Sequence, residues 1–301
     1  MNRILSLFDC PLKDVQKLLP IINSQGFNAV QVSPLQPTKD DNSKDWWILY
    51  QPLSFNIGNR IGNKEDLYNL CLEAKKYGIN IIVDAVINHT ANKNDDEALI
   101  PHPNVDKELL LNSDCFKERK WVSNWDNRYE VTNYCIGLPG LNPNNKIVQE
   151  KIINMLNEYI DLGVNGFRFD AAKSIALPSE GCDFFPIITY HLKRWIPLIY
   201  GEVLFADPSL IDAYAKYMKV LTNSDTHNRD SIIKFVENKD SFLSKDLGYT
   251  RYWPKEEVTH AYMNMVNYYP NTIYYARNFT NDWYEWQSSE VREANKKLVR
   301  K

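Results

Sequence analysis

Three carboxylates stand at the ends of three short apolar runs. Asp170 closes Gly166-Phe167-Arg168-Phe169, Glu202 follows Ile199-Tyr200-Gly201, and Asp240 follows Phe235-Val236-Glu237-Asn238-Lys239. Cleaving a glycosidic bond with retention needs two carboxyl groups about 5–5.5 Å apart: one, ionised, attacks the anomeric carbon, and the other, protonated, donates to the leaving oxygen. Arg168 lies two residues before Asp170 and in a strand projects to the same face, where a charge-assisted contact would keep Asp170 ionised, as a nucleophile must be. Glu202 follows an apolar stretch, and desolvation with a negative neighbour raises a carboxyl's pKa until it holds an acid's proton. Taken singly, each acid reads as well as a strand-end carboxylate that caps a helix or pairs with a base. The three together with Arg168 favour catalysis.

Such a set converges only if the strand ends share one face, which is the geometry of a (β/α)8 barrel. The chain alternates short β-branched or aromatic runs with amphipathic stretches, the pattern of a parallel sheet built from βα units. Strands are expected over residues 3–8, 29–33, 80–87, 166–169, 198–201, 218–222, 232–236 and 272–276. Helices are expected over 12–24, 64–77, 146–162, 184–195, 208–217, 255–268 and 282–299. The helix between strands six and seven is missing: residues 224–231 are polar, and extended they reach roughly 26 Å, enough for a bare crossover. Residues 90–144 lack periodicity and carry several Pro and Trp-Asn-Asp clusters; they read as an excursion inserted after strand three, standing over the catalytic mouth. The expectation is a single barrel over 1–301 with this insertion and no β-sandwich domain after it.

Composition narrows the partners. At 301 residues and 44% hydrophobic content, the chain can bury a full barrel core. The formal charge of −3 gives no field to recruit nucleic acid or an anionic membrane, so the expected partner is uncharged. Five cysteines without ligand spacing read as reduced, and the first ten residues hold no signal-peptide core. Together these point to an intracellular setting. Eighteen Tyr and eight Trp serve sugar stacking or core packing alike, so aromatic content decides nothing.

Four segments in order, Asp84-Ala85-Val86-Ile87-Asn88-His89, Gly166-Phe167-Arg168-Phe169-Asp170-Ala171-Ala172-Lys173, Gly201-Glu202-Val203 and Phe235-Val236-Glu237-Asn238-Lys239-Asp240, resemble the four conserved regions of the α-amylase family, glycoside hydrolase family 13. A fifth, Trp47-Ile48-Leu49-Tyr50-Gln51-Pro52 followed by Ile57-Gly58-Asn59-Arg60, looks most like bacterial α-amylases. The resemblance spans nearly the whole chain. It implies a retaining hydrolase of α-1,4-glucans or maltooligosaccharides, with Asp170 as nucleophile, Glu202 as acid/base and Asp240 as the carboxylate that steadies the transition state. It further implies Arg168 orienting Asp170, His89 hydrogen-bonding the sugar, Tyr50 stacking beneath it, and Gln51 and Lys173 near the substrate.

The chain departs from the family at two places that bear on chemistry. Lys239 replaces the usual histidine before the third acid; a lysine still donates to a sugar hydroxyl or pairs with Asp240, but does not switch protonation near neutral pH, so impaired or altered catalysis is expected. The family's calcium draws on the Asn88 position, on a carbonyl where Ser174 stands, and on an Asp where this chain has Gly140. Calcium wants six to eight oxygens, several anionic, so the loss of that Asp weakens the site considerably, and no organic cofactor is implied. The alternatives are an α-glucan transglycosylase, a non-catalytic glucan-binding protein, and a metal-dependent hydrolase using Asp84, His89 and Asp170.

Overall fold

Eight short strands pair in parallel, each with the next and the eighth with the first, into a closed barrel: β1 (Asn2–Leu7), β2 (Ala29–Val32), β3 (Asn80–Ala85), β4 (Gly166–Phe169), β5 (Leu198–Glu202), β6 (Lys219–Thr222), β7 (Ile232–Phe235) and β8 (Asn271–Tyr275). The computed structural model describes residues 1–226, 228–240, 255–276 and 285–297. Alternation along the strands divides the core in two. Ile4, Ala29, Ile82, Leu198, Tyr200, Leu221, Ile233 and Ile273 fill the barrel interior. Leu5, Val30, Val83, Val220 and Ile232, each adjacent in sequence to one of these, join the larger core beneath the helices. Most strand residues on both faces are thus buried, which is why the strands read as largely apolar runs.

The described helices are α1 (Leu12–Ser24), α2 (Lys64–Lys76), α3 (Lys107–Leu111), α4 (Arg128–Asn133), α5 (Lys146–Asp161), α6 (Phe184–Tyr190), α7 (Pro208–Tyr214), α8 (Lys255–Met265) and α9 (Ser289–Lys296). In α1, Leu12, Val15, Leu19 and Ile22 recur every three or four residues and are buried, each such side chain contributing about 1.5–3 kcal/mol. Asn63 and Asp66 form a reciprocal cap on α2, and Asn145 caps α5, satisfying first-turn N–H groups that no helix can satisfy itself.

Boundaries shift where a distant side chain intervenes. β3 stops at Ala85 rather than at residue 87, because Gln36 takes both backbone groups of Val86, donating to its carbonyl and accepting from its N–H, each at 3.0 Å. The helix expected to reach residue 195 ends at Tyr190: Asn157 of α5 donates to the His191 carbonyl at 3.0 Å and accepts from the Lys193 N–H at 2.7 Å. α7 ends at Tyr214, three residues early. α9 starts at Ser289, where the Ser288 side chain accepts from the Val291 N–H at 3.2 Å; residues 282–284 and 298–299 of the helix expected there lie outside the described residues.

Among the described residues, the path from β6 to β7 holds no α-helix, only a single 3-10 turn at Arg229–Ser231. Lys234 steadies this crossover by donating to the carbonyls of Asn223 and Ser224 at 3.0 and 2.7 Å. The ring closes through Arg3, whose guanidinium donates to the carbonyls of Val266, Tyr269 and Pro270 and to Thr272. α9 returns to the start of the barrel, with Asn295 donating to the Gln25 carbonyl at 3.0 Å and the buried Trp286 just before it packing on Phe27.

Residues 90–144 carry α3 and α4 and are tied to the end of β3 by backbone bonds from Thr90 to Pro139 and from Leu141 to Asn88. Arg128 of α4 donates to the Lys173 carbonyl and to the carboxylate of Glu180, so the segment leans on the loop that follows β4. All five cysteines are free and buried. Among the described residues no helix is long and apolar enough to cross a membrane.

Candidate active site

Strand register assembles the acids. Asp84 on β3 pairs with Arg168 on β4, which pairs with Tyr200 on β5; one rung on, Phe169 pairs with Gly201. Asp170 and Glu202 each occupy the next position on adjacent strands, and neighbouring strands run about 4.8 Å apart. Gly201 is needed for this approach: a Cβ there would sit 2.6 Å from Ala172 Cβ and 2.8 Å from Met218 Sδ. Ala171 follows Asp170 in a left-handed conformation, φ +49°, and its N–H donates to Glu202 Oε2 at 3.1 Å.

A single guanidinium gathers three carboxylates. Arg168 Nη1 donates to both oxygens of Asp84, at 2.7 and 2.9 Å, and to Asp170 Oδ1 at 2.6 Å, while Nη2 donates to Glu202. Arg168, Asp84 and Asp170 are buried, and the Glu202 side chain is 14% exposed. Burial pushes Asp170 up, but Arg168 and then Lys239 outweigh it and hold its carboxyl below the ordinary range. For Glu202 burial wins: Arg168 opposes it, the charge of Asp170 adds to it, and the carboxyl lies above its ordinary value. Two adjacent carboxyl groups driven in opposite directions are suited to one attacking and one protonating role.

The surrounding pocket is lined by Tyr50, Asp84, Arg168, Glu202, Glu237 and Lys239, with Phe8, Tyr275 and others completing the wall. Tyr50 ends the 3-10 turn Trp46–Tyr50, donates its hydroxyl to Asp84 at 2.7 Å, and stacks on Phe8 with centroids 6.2 Å apart. Lys239 Nζ lies over the Tyr50 ring, 4.3 Å from its centroid, and pairs with Asp240 at 3.1 Å. Burial works against the Lys239 ammonium, but Asp240 and Glu202 outweigh it and hold its charge. The Lys239 ammonium thus occupies one face of the Tyr50 ring.

His89 is buried; its Nε2 lies 3.0 Å from the Tyr50 carbonyl and its Nδ1 3.4 Å from the Asn88 amide, which fits a neutral ring carrying its proton on Nε2. Burial lowers its pKa, consistent with that state. Gln51 is buried, and its side-chain oxygen has no hydrogen-bond partner. Lys173 points away, donating to the Phe205 carbonyl at 3.1 Å. Asp240 has a side chain 39% exposed and, like Asp170, is not among the pocket-lining residues, whereas Glu237, three positions earlier and buried, is.

Two residues escaped the sequence reading. Asp84 entered only as a metal ligand in the metal-hydrolase alternative, yet its carboxylate is committed to Arg168 and Tyr50, and His89 has both ring nitrogens engaged. Among the described residues no three His, Cys, Asp or Glu side chains group to hold a metal, so that alternative is set aside; the signal for Asp84 was its place opposite Arg168. The other is Lys117, a buried lysine in the excursion whose amino group donates to Asn88 Oδ1 at 2.8 Å and to the Ser174 carbonyl at 2.6 Å. The residues to which the resemblance assigns calcium therefore do not fit the ion: two of its oxygens already accept from an amine, and the third position is Gly140.

Comparison with known proteins agrees with this architecture. Residues 11–288 match the family model described as the catalytic domain of alpha amylase. An alpha-amylase from Clostridium acetobutylicum is 42% identical over 231 residues, covering 72% of this chain and 30% of that protein. An alpha-amylase-related protein from Drosophila auraria is 32% identical over 184 residues, covering 58% and 37%. The chain thus spans about a third of the length of these curated relatives. The solved alpha-amylase from Geobacillus thermoleovorans, complexed with acarbose, shares the fold with TM-score 0.75 at 18% identity, over 98% of this chain and 77% of that one.

Proposed function

The chain belongs to the α-amylase family, and from that premise we propose that it is a retaining glycoside hydrolase acting on α-1,4-glucans or maltooligosaccharides. The observation that carries this reading is the grip of Arg168 on Asp170 and Glu202 from adjacent strand tips, with the first carboxyl held low and the second pushed high. Asp170 attacks the anomeric carbon; Glu202 protonates the leaving oxygen and, in the second half, takes a proton from the incoming water. Arg168 orients the nucleophile and Asp84 orients Arg168. Asp240 supplies the third carboxylate once substrate draws Lys239 off Tyr50, which then stacks under the sugar. A sugar in place of water as acceptor makes the same site a transglycosylase.

The test is incubation with maltoheptaose and chromatography of the products. Wild type should release shorter maltooligosaccharides, and Asp170→Asn and Glu202→Gln should each lose about 10²–10⁴-fold or more in kcat. A wild type with no product over days would sink the reading. The cover of Lys239 over Tyr50 favours one second reading, a glucan-binding protein that no longer turns over. It expects calorimetric binding of maltoheptaose unchanged in Glu202→Gln, and product appearing only in Lys239→His.

A further inference from the structure

Lys117 is an unusual residue to find sealed inside a protein, because removing an ammonium from water is costly unless its donors are satisfied. Its side chain runs from the excursion into the seam between three segments. Its amino group bonds Asn88 just beyond β3 and Ser174 in the loop after β4, and its backbone N–H bonds the Gly140 carbonyl at 2.8 Å. Both side-chain acceptors are neutral oxygens. The ionisable groups that bear on it from the surrounding elements are Cys135, Cys182, Arg128 and His89, and its two bonds go to neutral oxygens rather than to a carboxylate. Protonated or neutral, the amine has enough hydrogens for both oxygens.

Gly140 completes the arrangement. A Cβ built there would lie 2.8 Å from Lys117 Cδ and 3.3 Å from its Cγ, so the lysine stem occupies the room a side chain at 140 would need. A side chain at 140 would therefore force the Lys117 stem to shift from its place. The Gly140 N–H is also engaged, lying 3.4 Å from Cys135 Sγ, and His89 pairs with Gly140 in an isolated bridge.

We infer that the Lys117 amino group is a built-in replacement for the structural metal ion of this fold, clamping the excursion to the ends of β3 and β4 and making this chain independent of calcium. The lysine fills by covalent attachment the place an ion fills by binding, and glycine at 140 leaves room for its stem. The inference concerns the scaffold and stands whether or not the acids turn over glucans.

Thermal unfolding of the purified chain in EDTA and in millimolar calcium tests it. Wild type should melt at the same temperature in both and show no heat of calcium binding in calorimetry. Lys117→Met keeps the stem but leaves two buried oxygens unpaired, so it should melt roughly 5–10 °C lower, and calcium should not restore it. Lys117→Ala combined with Gly140→Asp reopens the space and returns a carboxylate, so its melting temperature should rise with added calcium. A wild type that melts lower in EDTA and recovers with calcium overturns the inference, as does a Lys117→Met variant as stable as wild type. If Lys117→Met does not fold, the comparison of wild type in EDTA and calcium decides alone.

Discussion

At the scale of single residues, the site depends on one arginine serving three acids. The pH dependence of kcat/KM should follow from the two opposed carboxyls, since the proposed mechanism uses Asp170 ionised and Glu202 protonated. Activity should rise as pH passes the depressed value of Asp170 and fall as it passes the elevated value of Glu202, giving a bell whose acid limb lies below the ordinary aspartate range and whose alkaline limb lies above the ordinary glutamate range. Arg168→Lys tests the cause. A lysine is a single point donor and cannot bridge the carboxylates as the planar guanidinium does; burial then dominates at Asp170, its pKa rises, and the acid limb should move to higher pH while kcat/KM falls about 10²-fold. An unmoved acid limb would separate Arg168 from the ionisation of Asp170.

At the scale of elements, the catalytic face relies on backbone that most residues resist. Ala171 in the left-handed region costs roughly 1 kcal/mol, placed where its N–H meets Glu202. Ala171→Gly relieves this strain while adding entropy to the unfolded chain, so stability in urea unfolding should rise by less than about 1 kcal/mol, and a fall would count against strain at this position. Gly201→Ala works in the other direction. Its methyl would press on Ala172 and Met218 at under 3 Å, so the turn after β4 must shift and Met218 must turn aside, with a loss of about 1–3 kcal/mol and a larger loss of kcat than of substrate affinity, since that turn carries the Ala171 N–H that meets Glu202.

At the scale of the whole molecule, the barrel is closed by contacts between its first and last segments. Trp286 is fully buried and meets Phe27 edge to face at 6.3 Å, while Arg3 binds the carbonyls that lead into β8. Trp286→Ala should cost about 3–5 kcal/mol in chemical denaturation, and the loss should appear in one cooperative transition, because α9 and β1 belong to one core. A separate early transition with the catalytic site intact would mean that the closing helix folds apart from the barrel.

Much of this was legible in the chain itself. The eight strands, the helix over 12–24 and the acids at the tips of β4 and β5 follow from apolar periodicity, which acts between near neighbours and so is written consecutively. Arg168 and Asp170 sharing a face needed only the alternation of a strand. What the closed structure alone decided joins residues far apart along the chain: Gln36 ending β3, Asn157 ending α6, Lys239 lying over Tyr50, and Lys117 reaching Asn88 and Ser174 across 29 and 57 residues. Nothing local distinguishes Lys117 from a solvated lysine. Its partners are set by where the excursion comes to rest against the barrel, and a hydrogen bond of about 3 Å is fixed only when that packing is complete.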